Sequence, residues 1–128
     1  MMDNLHIAKG EKTPLIEFNH QGELKIEGRS VPENPIEFYK KPVAWVKDFT
    51  SGNPQTINLH VCLEHFNTAS SKVLLDIFKY FEPAKLNGAN VNMYWYYEDD
   101  TDMMEAGEDY ASIVNLPFHF VKKKTEEV

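Results

Sequence analysis

The chain has 128 residues, of which 42% are hydrophobic and 12% aromatic, and these values favour one folded domain (1–128) over a disordered chain. Its formal net charge of -7 argues against nucleic acid and anionic membrane surfaces as partners. The single cysteine, Cys62, excludes an internal disulfide and is expected to be a small buried hydrophobic residue.

The termini carry no pattern that directs the chain to a membrane. The sequence shows neither a secretory signal nor an apolar run near the roughly 20 residues that span a bilayer. We therefore expect a cytoplasmic protein without membrane insertion. The charged residues 122–128 are expected to form a flexible tail.

The N-terminal part predicts strands, because apolar and polar residues alternate in short bursts at 5–7, 15–18 and 24–26, separated by turn residues. Helical spacing begins at Asn34, where Asn can cap free amides and Pro35 has no amide to leave unpaired. Pro42 lies inside this helical pattern and should kink or divide the helix.

The second half of the chain alternates strands and helices. Strands are predicted at 55–66, 90–98 and 116–123, with a helix at 67–81 that Pro83 stops and an acidic helix at 99–114. Gly107 should weaken the last helix by about 1 kcal/mol relative to alanine. In the strand at 90–98 both faces are expected to be covered, with Trp95 in the core.

The predicted order is β-β-β-α-β-α-β-α-β, which indicates an α/β domain with a mixed sheet flanked by helices. Loops after the carboxyl ends of parallel strands lie on one rim, where ligands and partners generally bind. Three polar segments fall at such positions: GRSVPEN (28–34), FNTASSK (66–72) and EDDTD (98–102). The candidate residues of this rim are Arg29, Ser30, Glu33, Asn34, Asn67, Ser71, Glu98, Asp99, Asp100 and Asp102.

Three hydroxyl side chains, Thr68, Ser70 and Ser71, crowd the start of the helix at 67–81. A cap supplied by Asn67 or Thr68 contributes about 1 kcal/mol but does not require three hydroxyls. A helix start also stabilises a phosphate group, because its free amides and positive dipole end attract an anion. The pattern alone leaves both interpretations open.

Two charged features have competing interpretations. Arg29 is expected either to pair with a phosphate on the Thr68 turn or to form an ordinary ion pair with Glu33, and the ordinary pair is favoured. The acidic residues at 98–102 offer oxygen ligands for Mg²⁺, but their spacing does not fit an EF-hand, and a solvated acidic surface is favoured. We expect no metal, no cofactor and no catalytic residue, with a small metal-dependent enzyme as the alternative class.

Four segments combine into a specific pattern: GRSVPENPIEFY (28–39), FNTASSKVLLDIF (66–78), YWYYEDDTDMMEAGEDY (94–110) and LPFHF (116–120). Together they resemble the small bacterial SiaC-type regulatory phosphoproteins, which are related to the STAS domains of anti-anti-sigma factors. The resemblance implies a STAS-like domain that is phosphorylated at Thr68. Ala69 is a small departure from the family motif, and Ser70 and Ser71 are less favoured acceptors.

The resemblance also implies a function that is not enzymatic. A serine/threonine kinase with a histidine-kinase-like ATPase fold would add the phosphate, and a PP2C-like phosphatase would remove it. The unphosphorylated form would bind and activate a diguanylate cyclase, and so control cyclic di-GMP and biofilm formation. The alternative within this class is an anti-anti-sigma factor that binds an anti-sigma kinase. Both expectations require the Thr68 side chain to be accessible rather than sealed in the core.

Overall fold

The computed structural model describes residues 3–99 and 101–123, so Asp100 and residues 124–128 of the expected tail lie outside the described residues. This part of the chain contains eleven helices and strands. They are β1 (Leu5–Ile7), β2 (Leu15–Phe18), β3 (Glu23–Ser30), α1 (Pro35–Phe38), α2 (Lys40–Ser51), β4 (Thr56–Phe66), α3 (Thr68–Lys79), α4 (Glu82–Leu86), β5 (Asn90–Tyr97), α5 (Thr101–Ile113) and β6 (Phe118–Lys122).

The six strands form one mixed sheet in sequential order, β1-β2-β3-β4-β5-β6. The first three strands pair antiparallel, and β3 to β6 pair parallel. The predicted α/β class with a mixed, helix-flanked sheet is therefore confirmed. Lys122 is the last residue of β6, and the Lys123 amide donates to the Tyr97 carbonyl at 2.7 Å, so the sheet holds the first two residues of the expected tail.

Among the described residues, helices cover one face of the sheet and leave the other open. Right-handed crossovers that all step in the same direction place their helices on the same face. Burial accordingly alternates along β3, β4 and β5, with Ile26, Leu59 and Trp95 on the covered side. The expectation that both faces of β5 are covered is wrong, because Tyr94 lies half-buried on the open face, stacked 4.7 Å from His60.

The helix predicted from Asn34 is divided, as expected from Pro42, but the break falls three residues earlier, at Tyr39. Asn34 accepts a hydrogen bond from the Glu37 amide at 3.2 Å and so caps α1, as predicted. Pro42 lies in the first turn of α2, where its missing amide leaves no intrahelical bond unmade.

The sequence did not predict α4. The helix at 67–81 ends at Lys79, and Pro83 lies in the first turn of the new helix α4, instead of only stopping the previous one. Proline is common at this position, because the first amides of a helix have no intrahelical acceptor.

Two residues of the core region, Trp95 and Gly107, show how closely the layers pack. Trp95 is 1% exposed, as predicted for a core residue, and its indole donates to the Met103 carbonyl at 2.8 Å. Gly107 lies directly against it, since a Cβ there would come within 2.5 Å of Trp95 Cδ1. Gly107 is thus required for helix packing, a role that its weak helix propensity did not indicate.

Cys62 is not the buried residue that the sequence predicted. It lies on the open face of β4 at intermediate exposure, and Lys123 Nζ donates to its Sγ at 3.2 Å. Alternation explains the difference, because its neighbours Val61 and Leu63 take the covered face.

Candidate functional site

The first turn of α3 separates three hydroxyl side chains into three different surroundings. Asn67 caps the helix, since its Oδ1 accepts a hydrogen bond from the Ser70 amide at 2.8 Å. Thr68 is exposed, Ser70 is completely buried and Ser71 is half-buried. The cap therefore belongs to Asn67, and each hydroxyl has a separate role.

Ser70 is the end of a buried chain of hydroxyl groups. Ser30 Oγ donates to Ser70 Oγ at 3.0 Å and lies 2.6 Å from Tyr39 Oη. A serine hydroxyl has one proton, so Tyr39 donates to Ser30 and Ser30 donates to Ser70. All three side chains are completely buried. This chain of hydroxyl groups joins the end of β3, the junction of α1 and α2, and the start of α3.

Ser71 is held by α5. Tyr110 Oη donates to the Ser71 carbonyl at 3.0 Å, and Ser71 Oγ lies 3.0 Å from the same phenol oxygen. With the tyrosine proton directed to the carbonyl, the Ser71 hydroxyl donates to Tyr110. The Ser71 hydroxyl is thus already engaged.

Thr68 differs from both serines. In the part of the chain that the structure describes, its hydroxyl has no hydrogen-bond partner, and its side chain is open to solvent. Helix geometry leaves the amides of Thr68 and Ala69 without an intrahelical acceptor. A phosphate group on Thr68 would meet these amides and the positive end of the helix without disturbing a buried contact.

Two of the three predicted rim segments meet at this turn. The Asn67 amide donates to the Ser30 carbonyl at 3.1 Å, so 28–34 and 66–72 are in direct contact. The third segment meets the first at a different place, because Glu98 lines the same cavity as Gly28 and Arg29. Asp99 pairs with Lys122 at 2.9 Å, and Glu98 is exposed. Asp102 is exposed in the first turn of α5.

The structure does not bring Arg29 to the Thr68 turn. Ser30 directs its side chain into the helix layer, and its neighbour Arg29 lines a cavity of about 510 Å³ together with Glu27 and Cys62 of the open face. Nor does Arg29 pair with Glu33, whose carboxylate lies 3.9 Å from Lys12. Because consecutive strand residues point to opposite faces, the register of Ser30 determines this outcome.

The described residues include no group of three or more His, Cys, Asp and Glu side chains placed to hold a metal ion. Asp100, the central residue of the predicted acidic cluster, lies outside that range. No described helix is long and apolar enough to cross a membrane.

Sequence reasoning missed Tyr39 and Tyr110, the two phenols that hold the serines. A tyrosine on a buried face generally needs a hydrogen-bond partner for its hydroxyl, and this requirement could have indicated that both phenols bond to other side chains. Burial raises the pKa of Tyr39 to about 12 and also raises the pKa of Tyr110, so both remain neutral donors at physiological pH.

The raised pKa of Tyr39 predicts a loss of stability in alkali. The unfolded chain releases the phenol proton near its ordinary pKa of 10.0, whereas burial holds the folded pKa at about 12. The contribution is therefore complete below the unfolded pKa and is lost as pH rises through the folded pKa. By about pH 11 the loss in the free energy of unfolding is on the order of 1 kcal/mol.

Tyr39→Phe removes this proton and should flatten the decline. Chemical denaturation of both proteins at about pH 9 and about pH 11 measures the difference between them. An equal fall in the free energy of unfolding for the two proteins would show that Tyr39 does not carry the effect.

Comparisons with known proteins agree on one family. A sequence profile described as SiaC family regulatory phosphoprotein matches residues 7–123. An uncharacterised protein of Pseudomonas aeruginosa is 31% identical over 119 residues, which cover 91% of this chain and 94% of that protein.

Solved structures give the same result. SiaC of Pseudomonas aeruginosa superposes with a TM-score of 0.87 at 30% identity, over 95% of this chain and 100% of that chain. A second structure, of the diguanylate cyclase SiaD in complex with its activator SiaC from the same organism, matches with a TM-score of 0.87 at 30% identity. That match covers 93% of this chain and 99% of the other.

Proposed function

The chain belongs to the SiaC family of regulatory phosphoproteins, and from this we propose that its unphosphorylated form binds and activates a diguanylate cyclase and that phosphorylation of Thr68 switches this activity. The observation that carries the proposal is the state of the Thr68 hydroxyl, exposed and unengaged at the first turn of α3. Ser70 is buried and Ser71 is engaged by Tyr110, so neither offers an equivalent acceptor.

The chemistry of the switch is electrostatic. A phosphate adds about -1.5 to -2 charges at neutral pH to a protein that already has a net charge of -7. A partner surface that docks on the Thr68 turn must then desolvate a dianion and, if acidic, is repelled by it. Couplings of about 1 to 3 kcal/mol are typical of such switches.

The enzymes that act on the switch are proposed from the family resemblance. A serine/threonine kinase with a histidine-kinase-like ATPase fold adds the phosphate, and a PP2C-like phosphatase removes it. The chain itself is a single, non-enzymatic domain in the cytoplasm that controls cyclic di-GMP, and through it biofilm formation. The similarity to a cyclase-bound activator supports a cyclase target over an anti-sigma kinase.

Cyclase activation tests the function directly. The purified chain is added to the diguanylate cyclase of the same organism, and cyclic di-GMP formation from GTP is followed. The unphosphorylated chain is expected to raise the rate, and at limiting concentration the form phosphorylated at Thr68 should act about 5-fold to 150-fold more weakly.

A Thr68→Val variant provides the matched control, because it keeps the shape of threonine without an acceptor. It should activate the cyclase like the wild type and should not respond to the kinase. Equal activation by the phosphorylated and unphosphorylated chains would rule out the switch, and no activation by either would rule out the cyclase as target.

A further inference from the structure

Ser30 holds both ends of the short segment that carries Thr68. Its carbonyl accepts a hydrogen bond from the Asn67 amide at 3.1 Å, and its Oγ donates to Ser70 Oγ at 3.0 Å. The two residues between these anchor points, Thr68 and Ala69, are exposed. A single residue at the end of β3 thus fixes the segment 67–70 and leaves its two central side chains at the surface.

Tyr39 sets the direction of the Ser30 hydroxyl. The phenol oxygen lies 2.6 Å from Ser30 Oγ and supplies a proton to it, so the serine proton is left to point at Ser70. The tyrosine ring is itself held edge-on against Phe38, with centroids 4.9 Å apart. The phenol stays protonated at physiological pH, so the direction of the chain does not reverse.

The polar character of the hydroxyl chain formed by Tyr39, Ser30 and Ser70 needs a reason, because packing alone does not require polar groups there. Replacing both partners of a buried hydrogen bond with apolar groups of the same shape is often nearly neutral for stability. Hydrogen bonds are directional, whereas apolar packing is not, and satisfied buried polar networks specify one arrangement of the elements that they join. Here the elements joined are β3, the α1/α2 junction and the turn with Thr68.

We propose that Ser30 and Tyr39 are positioning residues for Thr68, which fix the first turn of α3 so that Thr68 is presented and Ser70 is withheld. The inference rests on the proposed function only for the role of Thr68, since the anchoring of the turn can be measured without any partner. Ser30 and Tyr39 act through the turn and need not touch the kinase or the target themselves.

Amide hydrogen exchange on the isolated full-length protein tests the anchoring. In Ser30→Ala the Ser70 amide should exchange about tenfold faster, while the amides of Ile77 and Phe78 later in α3 keep their protection. The Asn67 amide keeps its acceptor, because alanine retains the backbone carbonyl at position 30. Tyr39→Phe should accelerate exchange of the Ser70 amide by a smaller factor. Val91→Ala is the matched control, because it removes a buried side chain at the start of β5, away from the turn.

The control should raise exchange across the domain without favouring the turn. If Ser30→Ala instead leaves exchange of the Ser70 amide unchanged, or accelerates all of α3 equally, the anchoring is refuted. If Ser30→Ala leaves too little folded protein for the exchange measurement, Tyr39→Phe is used instead, and exchange in the first turn of α3 is again compared with exchange later in the helix.

Phosphorylation mapping then tests the consequence for acceptor choice. Wild type, Ser30→Ala and Tyr39→Phe are incubated with the kinase and ATP, and the modified residue is identified by tandem mass spectrometry. Phosphorylation of Thr68 should slow about tenfold in Ser30→Ala, and Ser70 should become modified. Unaltered rate and site would overturn the positioning role. A wild type that is not phosphorylated would overturn the proposed function instead, leaving the exchange result to decide the anchoring.

Discussion

Thr68→Val is expected to abolish phosphorylation of the chain completely. The valine side chain has the shape of threonine but no oxygen to accept a phosphoryl group. The two neighbouring hydroxyls cannot replace it, because Ser70 is sealed under the turn by Ser30 and Ser71 donates to Tyr110. Phosphorylating either serine would place a dianion where it must break an existing contact, and for Ser70 it would also bury the charge.

Incubation with the kinase and ATP, followed by intact-mass measurement, gives the result directly. Thr68→Ser restores a hydroxyl at the same backbone position and should be phosphorylated, and Ser71→Ala should be phosphorylated like the wild type. A Thr68→Val protein that still gains a phosphate at Ser70 or Ser71 would show that the observed burial does not govern acceptor choice. Thr68→Glu is a poor substitute for the phosphorylated form, since one carboxylate has less charge and fewer oxygens than a phosphate.

Gly107→Ala is expected to destabilise the protein by about 1 to 3 kcal/mol, the cost of overpacking a tight interface. Helix propensity alone predicts the opposite, a gain of about 1 kcal/mol. The new methyl group would lie 2.5 Å from Trp95 Cδ1 and 2.8 Å from Phe120 Cε1. Trp95 cannot easily move away, because it is fully buried and its indole is bonded to the Met103 carbonyl.

Denaturant titration of the wild type and the Gly107→Ala variant measures whether the free energy of unfolding falls or rises. Gly52→Ala is the control, since Gly52 has an ordinary φ of -85 and the nearest atom to its Cβ position is the Phe49 carbonyl oxygen at 3.5 Å. It should change the free energy of unfolding little. A stabilised Gly107→Ala protein would mean that α5 does not lie this close to Trp95.

The sequence alone was sufficient for features that depend on local periodicity and local hydrogen bonding. Alternation of period two placed β1 to β4, the aromatic residues of 90–98 indicated β5, and the segment 116–123 was predicted as the final strand. Helical spacing with capping residues placed the starts of α1 and α3. Four motifs gave the family, which the match over residues 7–123 confirms. The hydroxyls at 68–71 were correctly placed in the first turn of a helix.

Only the tertiary structure decided which surroundings each of those residues meets. The sheet has an open face because its three crossovers step in the same direction. Cys62 lies on this open face, and Arg29 points away from the first turn of α3. The partners of Ser70 and Ser71 lie 40 and 39 positions away in sequence, at Ser30 and Tyr110. No local pattern encodes such distant contacts, because a periodicity specifies which face a residue occupies and not what is packed against it.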